Sequence, residues 1–258
     1  MHDGSLIPRF GRARRDEGLA VLEGFHPLKH ALRFHAHVLE AVCRDGAQLD
    51  ALAQRLAPDV REQMGERVRE IAPEVFDKLA PLAPATGVMS LARRPQLDVA
   101  AVLADTSNAP IVLLENPRDL GNVGACVRVA AAADAAGVLT TGSHDPWHPD
   151  ALRGAAGLHF ALPVGRAADV ASLQVNAREL VALDPDGEEL DAAALPPRSL
   201  LVFGSERDGV SDELLACAQR RVRIPMRAGV SSLNLATSVA AVLFAWRLSA
   251  RAGARADG

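Results

Sequence analysis

Three loops near the C-terminus contain the side chains best suited to bind a polar ligand. The first follows the apolar run Leu200–Phe203 and contains Glu206, and the second follows a second short predicted strand, Val222–Met226. The third precedes a long apolar stretch and contains Ser232 and Asn234. A carboxylate, a hydroxyl and an amide that meet in one crevice can bind a ligand through hydrogen bonds.

The pattern around these loops predicts the elements that position them. Gly204 ends the first strand, and a helix is predicted over residues 212–219. Ser231 or Ser232 is predicted to cap a long helix that reaches about Arg247. Because ligands bind α/β sheets outside the carboxyl ends of the strands, we predict a pocket where the two strand ends and the helix start meet.

Strands and helices alternate upstream of these loops as well. Strands are predicted at Ile111–Glu115, Val138–Thr140 and Leu180–Leu183, and a short helical piece at Leu173–Ala177. Pro95–Pro110 has no clear period, so we predict a domain boundary there. The alternation predicts an α/β fold with a parallel sheet.

The first 100 residues are predicted to form a small α/β unit. Leu19–Leu22 and Gly87–Ala92 are predicted strands, and Pro27 suits the start of a helix that runs to about Val42. A further helical pattern covers Ala47–Leu56.

Composition limits the classes of function. The 258 residues carry a net charge of −4 and only 3% aromatic residues, so neither a basic surface over the whole chain nor an aromatic stacking platform is expected. Cys43, Cys126 and Cys217 have no paired spacing, which is typical of reduced thiols in a cytoplasmic protein. Leu233–Leu248 falls short of a membrane span, so no membrane association is expected.

Two further residue patterns bear on other kinds of site. Four histidines occur close together: His26, His30, His35 and His37. They lie on different faces of the predicted helix without cysteine or carboxylate partners at ligand spacing, so no metal site is predicted. Gly121 and Gly124 follow a strand but lack a closely spaced Gly-x-Gly pair, so a Rossmann oxidoreductase with a nucleotide cofactor remains an alternative.

The amino-acid sequences of these loops resemble those of a known family. FGSERDGVS, RIPM and SSLNLATSVA resemble the last two motifs of the SpoU (TrmH-type) RNA 2′-O-ribose methyltransferases of the SPOUT superfamily. Asn122, Gly124 and Arg128 match the first motif, and the motifs occur in the family's order. One position departs from the pattern, because Asn116 stands where an acidic residue usually precedes the proline, with Glu115 before it.

The resemblance implies a two-domain protein that acts as a homodimer. Residues 1–100 would be an α/β RNA substrate-binding domain, residues 109–250 a parallel-sheet SPOUT catalytic domain with a trefoil knot, and residues 251–258 a disordered tail. The alanine-rich last helix offers a small-residue face that would fit either close packing against a second copy or a place in the core.

The resemblance also implies S-adenosylmethionine as the methyl donor. Gly204, Ile224 and Leu233 would contact the donor through their backbones. Met226 and Val210 would form walls of the adenine site, although both side chains could equally belong to the core.

By the same resemblance, the catalytic residues are Arg128, Asn122, Glu206, Ser232 and Asn234. The family proposal that the arginine is a general base conflicts with the strong basicity of guanidinium groups, unless neighbouring cations weaken it. We therefore favour a role in orienting the RNA phosphate. Glu206 is expected to brace Arg128, and Ser232 to serve either at the active site or only as a helix cap.

The expected function is methylation of a ribose 2′-hydroxyl in structured RNA, with rRNA favoured over tRNA; a catalytically silent RNA-binding protein of the same fold is an alternative. The segment Ile7–Arg15 contains Arg9, Arg12, Arg14 and Arg15. Because guanidinium groups match phosphate oxygens, this short arm is predicted either to contact RNA or to be a solvated tail.

Overall fold

The computed structural model describes residues 5–170, 173 and 178–256, and it divides into two units. The first unit contains the residues up to Gln96 together with Trp147–Ala161. The second contains Leu97–Pro146 and the residues from Leu162 onward. Each unit has its own sheet.

A four-stranded sheet forms the centre of the first unit. Its strands are β1 (Leu19–Glu23), β2 (Val38–Cys43), β3 (Arg69–Glu70) and β4 (Val88–Arg93), in the order β1-β4-β2-β3. Strand β4 is antiparallel to β1 and β2, whereas β3 is parallel to β2. The helices of residues 5–96 are α1 (Leu6–Ala13), α2 (Phe25–Arg33), α3 (Gly46–Leu56), α4 (Arg61–Arg67) and α5 (Pro73–Phe76).

Both faces of this sheet are covered, because side chains alternate between the two faces along each strand. Met89 belongs to one apolar cluster with Phe10 of α1 and Phe76 of α5. The adjacent Val88 belongs to a second cluster with Leu28 of α2.

Two predictions for this unit are wrong. Ile7–Arg15 is not an extended arm, because residues up to Ala13 belong to α1, whose Leu6 and Phe10 are fully buried. The helix predicted from Pro27 to about Val42 ends at Arg33, and β2 follows it. Pairing with β4 explains this difference, since tertiary contacts override the local helical pattern.

The segment Trp147–Ala161 packs as part of the first unit. It contains α8 (Pro149–Gly154), and Arg153 of this helix donates to the Glu23 carboxylate at 2.9 Å. The Glu23 side chain is only 5% exposed and also pairs with Arg14 at 2.6 Å. A stretch predicted to lie inside the second domain therefore contributes to the packing of the first unit.

The second unit contains a six-stranded sheet in which all the pairings are parallel. Its strands are β5 (Ile111–Leu114), β6 (Gly137–Thr140), β7 (Val164–Arg166), β8 (Glu179–Glu189), β9 (Ser199–Phe203) and β10 (Arg220–Arg223), in the order β10-β8-β9-β5-β6-β7. Its helices are α6 (Val99–Ala104), α7 (Leu120–Ala133), α9 (Asp212–Cys217) and α10 (Leu235–Ala256). Every residue of β5 and β9 is buried, as expected for inner strands of a covered parallel sheet. The predicted α/β class with a parallel sheet is confirmed.

The start of α10 differs from the prediction. Asn234 caps the helix, since its Oδ1 accepts hydrogen bonds from the amides of Ala236 at 2.9 Å and Thr237 at 3.3 Å. Ser231 and Ser232 therefore precede the cap instead of forming it, and they lie outside the first turn. Asparagine is as good an N-cap as serine, so the local pattern alone does not distinguish the three positions.

Other element ends differ as well. Strand β10 ends at Arg223, so Ile224–Met226 form a loop and not the end of a strand. Helix α10 continues to Ala256 and includes most of the predicted tail, residues 251–258. The helical piece predicted at Leu173–Ala177 lies, apart from Leu173, outside the described residues. Every helix in the described part of the chain is too short or too polar to cross a bilayer.

Candidate active site

A cavity of about 470 Å³ opens where β9 and β10 end. Its walls come from the loop after β9, the loop after β10, the approach to α10, and the part of β8 that follows Ala182. The pocket predicted from the two strand ends and the helix start is therefore present in the second unit.

The loop after β9 doubles back tightly at its first residue. Ser205 and Gly209 exchange two backbone hydrogen bonds of 3.0 and 3.2 Å, which bring the backbone of Gly209 and Val210 against Gly204. A Cβ atom at position 204 would overlap the Gly209 carbonyl carbon and the Val210 amide nitrogen. Only glycine fits there, and the loop keeps Glu206 at the edge of the cavity.

Three side chains link the loops around the cavity. The Nδ2 group of Asn122 donates to Oε1 of Glu206 at 2.9 Å, and the Nδ2 group of Asn234 donates to Oδ1 of Asn122 at 3.0 Å. Asn122 thus uses both ends of its amide to connect residues that lie 84 and 112 positions away in the sequence.

The environment of Glu206 favours its charged form. Partial burial alone would raise its pKa, but hydrogen bonds from the Asn122 side chain and from backbone amides, including that of Arg118 at 3.2 Å, outweigh burial and lower the pKa. Burial, and then the negative charge of Glu206, raise the pKa of the Cys126 thiol to about 12. This thiol is therefore neutral at pH 7 and unsuited to act as a nucleophile.

Helix α7 is joined to α10 at both of its own ends. At the start of α7, Asp119 accepts from the Asn122 amide at 2.7 Å, and Asn122 in turn contacts Asn234 at the start of α10. At the other end, the Arg247 guanidinium donates to the Ala133 carbonyl at 2.9 Å, where a cation complements the helix dipole. The two helices therefore hold the site's amide side chains in a fixed register.

Arg128 does not join this group. It is exposed on α7, and no hydrogen bond or ion pair engages its side chain among the residues that the structure describes. At 1.5 Å per residue, it lies about 9 Å along the helix from Asn122. Within one chain Glu206 does not brace Arg128, because the carboxylate is bound by Asn122 and by the Arg118 amide.

Apart from Arg128 and Asn122, which both lie on α7, the residues predicted to be catalytic or to bind the cofactor divide into two groups. Seven of them line the cavity: Gly204, Glu206, Ile224, Met226, Ser232, Leu233 and Asn234. Val210 instead packs against the core of the second unit. Of its two predicted roles, the structure therefore favours the core position over a contact with the adenine.

The four arginines that were predicted to contact RNA also divide into two groups. Arg9 pairs with Glu40 at 2.7 Å, and Arg14 pairs with the nearly buried Glu23, so both take part in the packing of this unit. Arg12 and Arg15 are exposed, and their side chains have no ion-pair partner in the described ranges.

Residues 183–185 line the cavity but were missed in the sequence. A signal was present, because Asp184-Pro185-Asp186-Gly187, directly after the predicted strand Leu180–Leu183, is a typical turn sequence.

No cluster of histidine, cysteine and carboxylate side chains suited to a metal ion occurs within the described residues. In the histidine-rich segment, the Nδ1 group of His30 donates to the Ala156 carbonyl at 2.7 Å. Burial lowers the pKa of His30, which keeps this imidazole neutral at pH 7.

Comparison with known proteins identifies a family and several relatives. The model of the SpoU rRNA methylase family matches residues 109–244, which is more than half of the chain. An uncharacterized tRNA/rRNA methyltransferase of Mycobacterium bovis is 35% identical over 169 residues, which are 61% of this chain and 58% of the relative. The 23S rRNA (adenosine(1067)-2′-O)-methyltransferase of Streptomyces laurentii is 30% identical over 234 residues, covering 86% of this chain and 83% of the relative.

Solved structures agree in fold. The SpoU methyltransferase AviRb from Streptomyces viridochromogenes, in complex with AdoMet, superposes with a TM-score of 0.76 at 22% identity and covers 94% of this chain and 97% of that one. An AdoMet-bound rRNA methyltransferase from Sinorhizobium meliloti gives a TM-score of 0.73 at 24% identity, with 95% and 94% covered. Together with the sequence matches, these findings show that the chain belongs to the SpoU rRNA methylase family.

Proposed function

We propose that this protein transfers a methyl group from S-adenosylmethionine to a ribose 2′-hydroxyl of RNA, with rRNA as the favoured substrate. The observation that carries the proposal is the cavity at the strand ends, whose loops are joined by the hydrogen-bonded series Glu206, Asn122 and Asn234. Relatives named as 23S rRNA 2′-O-methyltransferases support the substrate class. Family membership favours this function over the Rossmann oxidoreductase.

The cavity fits the methyl donor. Its volume of about 470 Å³ lies within the range of about 300–1000 Å³ that is typical of small-ligand sites. The wall combines the apolar side chains of Ile224, Met226 and Leu233 with polar groups near the start of α10. The backbone N–H groups of Met226 and Leu233 make no backbone hydrogen bond among the described residues, which leaves donors for a bound ligand.

In this proposal, the backbones of Gly204, Ile224 and Leu233 hold the donor, and Met226 covers its adenine. When bound, S-adenosylmethionine supplies a methyl group on a positively charged sulfur. The loops exclude water from this group, and the rigid turn at Gly204 keeps the backbone in register with the start of α10.

The polar side chains position the RNA ribose. Ser232 and Asn234, which line the cavity, would contact the acceptor hydroxyl, and Asn122 and Glu206 keep the Asn234 amide oriented. Arg128 binds an RNA phosphate through its guanidinium fork, for which its exposed side chain, without a partner among the described residues, is suited. Within one chain Arg128 is outside the cavity, so the proposal requires the RNA, or a second copy of the chain, to connect it with the site.

A homodimer with a trefoil knot in the catalytic domain completes the proposal. Large apolar side chains are exposed along α10 and in the loop before it, including Phe244 at 40% and Leu248 at 66%. Such a surface is suited to cover a second copy. Phe244→Lys is expected to lower the dimer fraction in sedimentation velocity, whereas the matched Leu56→Lys, at a position exposed to 38%, leaves it unchanged. Equal dimer fractions in both variants would exclude α10 from the interface.

The first unit is proposed to bind the RNA substrate, with Arg12 and Arg15 as its unpaired cations in the first helix and the turn after it. Cytoplasmic localisation is part of the proposal, and the unpaired state of Cys43, Cys126 and Cys217 supports it.

Two measurements test the function. Calorimetry with S-adenosylmethionine and NAD should show binding of the sulfonium compound alone. Transfer of labelled methyl groups to rRNA, followed by mapping of the modified ribose, should give a single 2′-O-methylated position. Donor binding without transfer to rRNA or tRNA would favour the catalytically silent protein, and no donor binding would refute the proposal.

A further inference from the structure

Strand β8 leaves the sheet at the edge of the cavity. Its residue Ala182 pairs with Arg221 of β10, and the next pairing joins Glu188 to Val222. Five residues of β8, 183–187, therefore lie between two consecutive residues of β10. The pairing of β8 with β9 also ends at Ala182.

The sequence of this excursion explains its shape. Pro185 has no N–H group to donate to a neighbouring strand, and Oδ1 of Asp184 accepts from the Asp186 amide at 3.0 Å, as in an Asx turn. The chain returns to the sheet at Gly187, where a Cβ would lie 2.5 Å from the carbonyl carbon of Arg221. Asp-Pro-Asp-Gly thus forms a turn whose first side chain lines the cavity.

The Asp184 carboxylate has unused capacity to accept hydrogen bonds. Its side chain is only 10% exposed, and one oxygen already accepts from the Asp186 amide. The other oxygen lies 3.7 Å from Nη1 of Arg221, which is too long for a hydrogen bond. A nearly buried carboxylate with free lone pairs in a ligand-sized cavity is a candidate for ligand recognition.

We propose that Asp184 accepts hydrogen bonds from the ribose hydroxyls of the nucleoside bound in this cavity. The inference rests on the proposed function, which places an adenosine derivative there. Arg221 partly neutralises the carboxylate, and Arg223 also lines the cavity, so a neutral diol is favoured over an ammonium group. A phosphate would be repelled by Asp184. The carboxylate would therefore select a nucleoside with free hydroxyls, which is a role that none of the three motifs includes.

The test is calorimetric binding of three ligands to the full chain: S-adenosylhomocysteine, 5′-methylthioadenosine, and the 2′,3′-dideoxy form of 5′-methylthioadenosine. Asp184→Asn retains the oxygen that accepts from the Asp186 amide, so the turn is preserved while the carboxylate is lost. Asp186→Asn is the matched control. It also removes one negative charge, but the Asp186 side chain, two residues further along the chain, does not line the cavity.

We expect Asp184→Asn to weaken the binding of 5′-methylthioadenosine by about ten- to a hundred-fold, which is the effect of losing hydrogen bonds to a charged group. The affinity for S-adenosylhomocysteine should fall by the same factor, and the dideoxy compound should bind the wild type and Asp184→Asn equally. Asp186→Asn should bind all three ligands like the wild type.

Each other outcome is decisive. Weaker binding of S-adenosylhomocysteine with unchanged 5′-methylthioadenosine would assign Asp184 to the amino-acid end of the ligand and overturn the inference. Unchanged affinities in Asp184→Asn would reduce the residue to a turn former. Failure of the wild type to bind any of the three would refute the proposed function itself.

Discussion

Asn234 has two separable tasks, and a pair of substitutions distinguishes them. Its Oδ1 atom caps α10, and its Nδ2 group donates to Asn122 at 3.0 Å. Asn234→Ser keeps a capping oxygen but is too short to reach Asn122, whereas Asn234→Ala loses both interactions. Because the link to Asn122 is a neutral and exposed hydrogen bond, its loss should cost about 0.5–1 kcal/mol. Loss of the cap should cost about 1 kcal/mol more.

Urea unfolding followed by circular dichroism measures both values through the shift of the midpoint. Asn234→Ser should lie between the wild type and Asn234→Ala. In a background that already carries Asn122→Ala, Asn234→Ser should cost almost nothing, because its partner is absent. Equal midpoints for the serine and alanine variants would refute the capping role, and an undiminished cost in the Asn122→Ala background would refute the link.

Three further predictions concern other parts of the site. Gly204→Ala should destabilise the chain by about 1–3 kcal/mol in urea unfolding and abolish donor binding, because the added Cβ overlaps the Gly209 backbone. The control Gly11→Ala, with open space around the added Cβ, should not destabilise the chain. A stable Gly204→Ala variant that binds the donor would contradict the close approach of the Gly209 backbone to Gly204. Arg128→Lys keeps the positive charge but loses the guanidinium fork, so turnover on RNA should fall about ten- to a hundred-fold while the affinity for the donor stays unchanged. Near-normal turnover would exclude bidentate binding of an RNA phosphate by Arg128. The pKa of Glu206 is lowered in the folded state, so its contribution to stability is complete above its ordinary pKa and is lost as the pH falls through the lowered value. The difference in unfolding free energy between wild type and Glu206→Gln should therefore be constant near neutral pH and shrink in acid, and a difference that grows in acid would reverse the sign of the argument.

Elements with a strong local pattern were predictable from the sequence. Leu200–Phe203 and Ile111–Leu114 are continuous apolar runs, and such runs form inner strands because both faces of a parallel sheet are covered. The loops that follow them could also be placed at one edge, since parallel strands bring their carboxyl ends together.

The sequence by itself thus determined the class of fold, the family and seven of the residues that line the cavity. The tertiary structure decided which residues those side chains contact. Glu206 binds Asn122 and not Arg128, Asn234 and not Ser232 caps the last helix, and the turn after Ala182 brings Asp184 to the cavity wall. The Glu206 contact and the approach of Asp184 to the cavity depend on residues far apart in the chain, and local periodicity carries no information about such contacts. The cap is a local contact, but asparagine and serine are equally good N-caps, so the local pattern did not distinguish them.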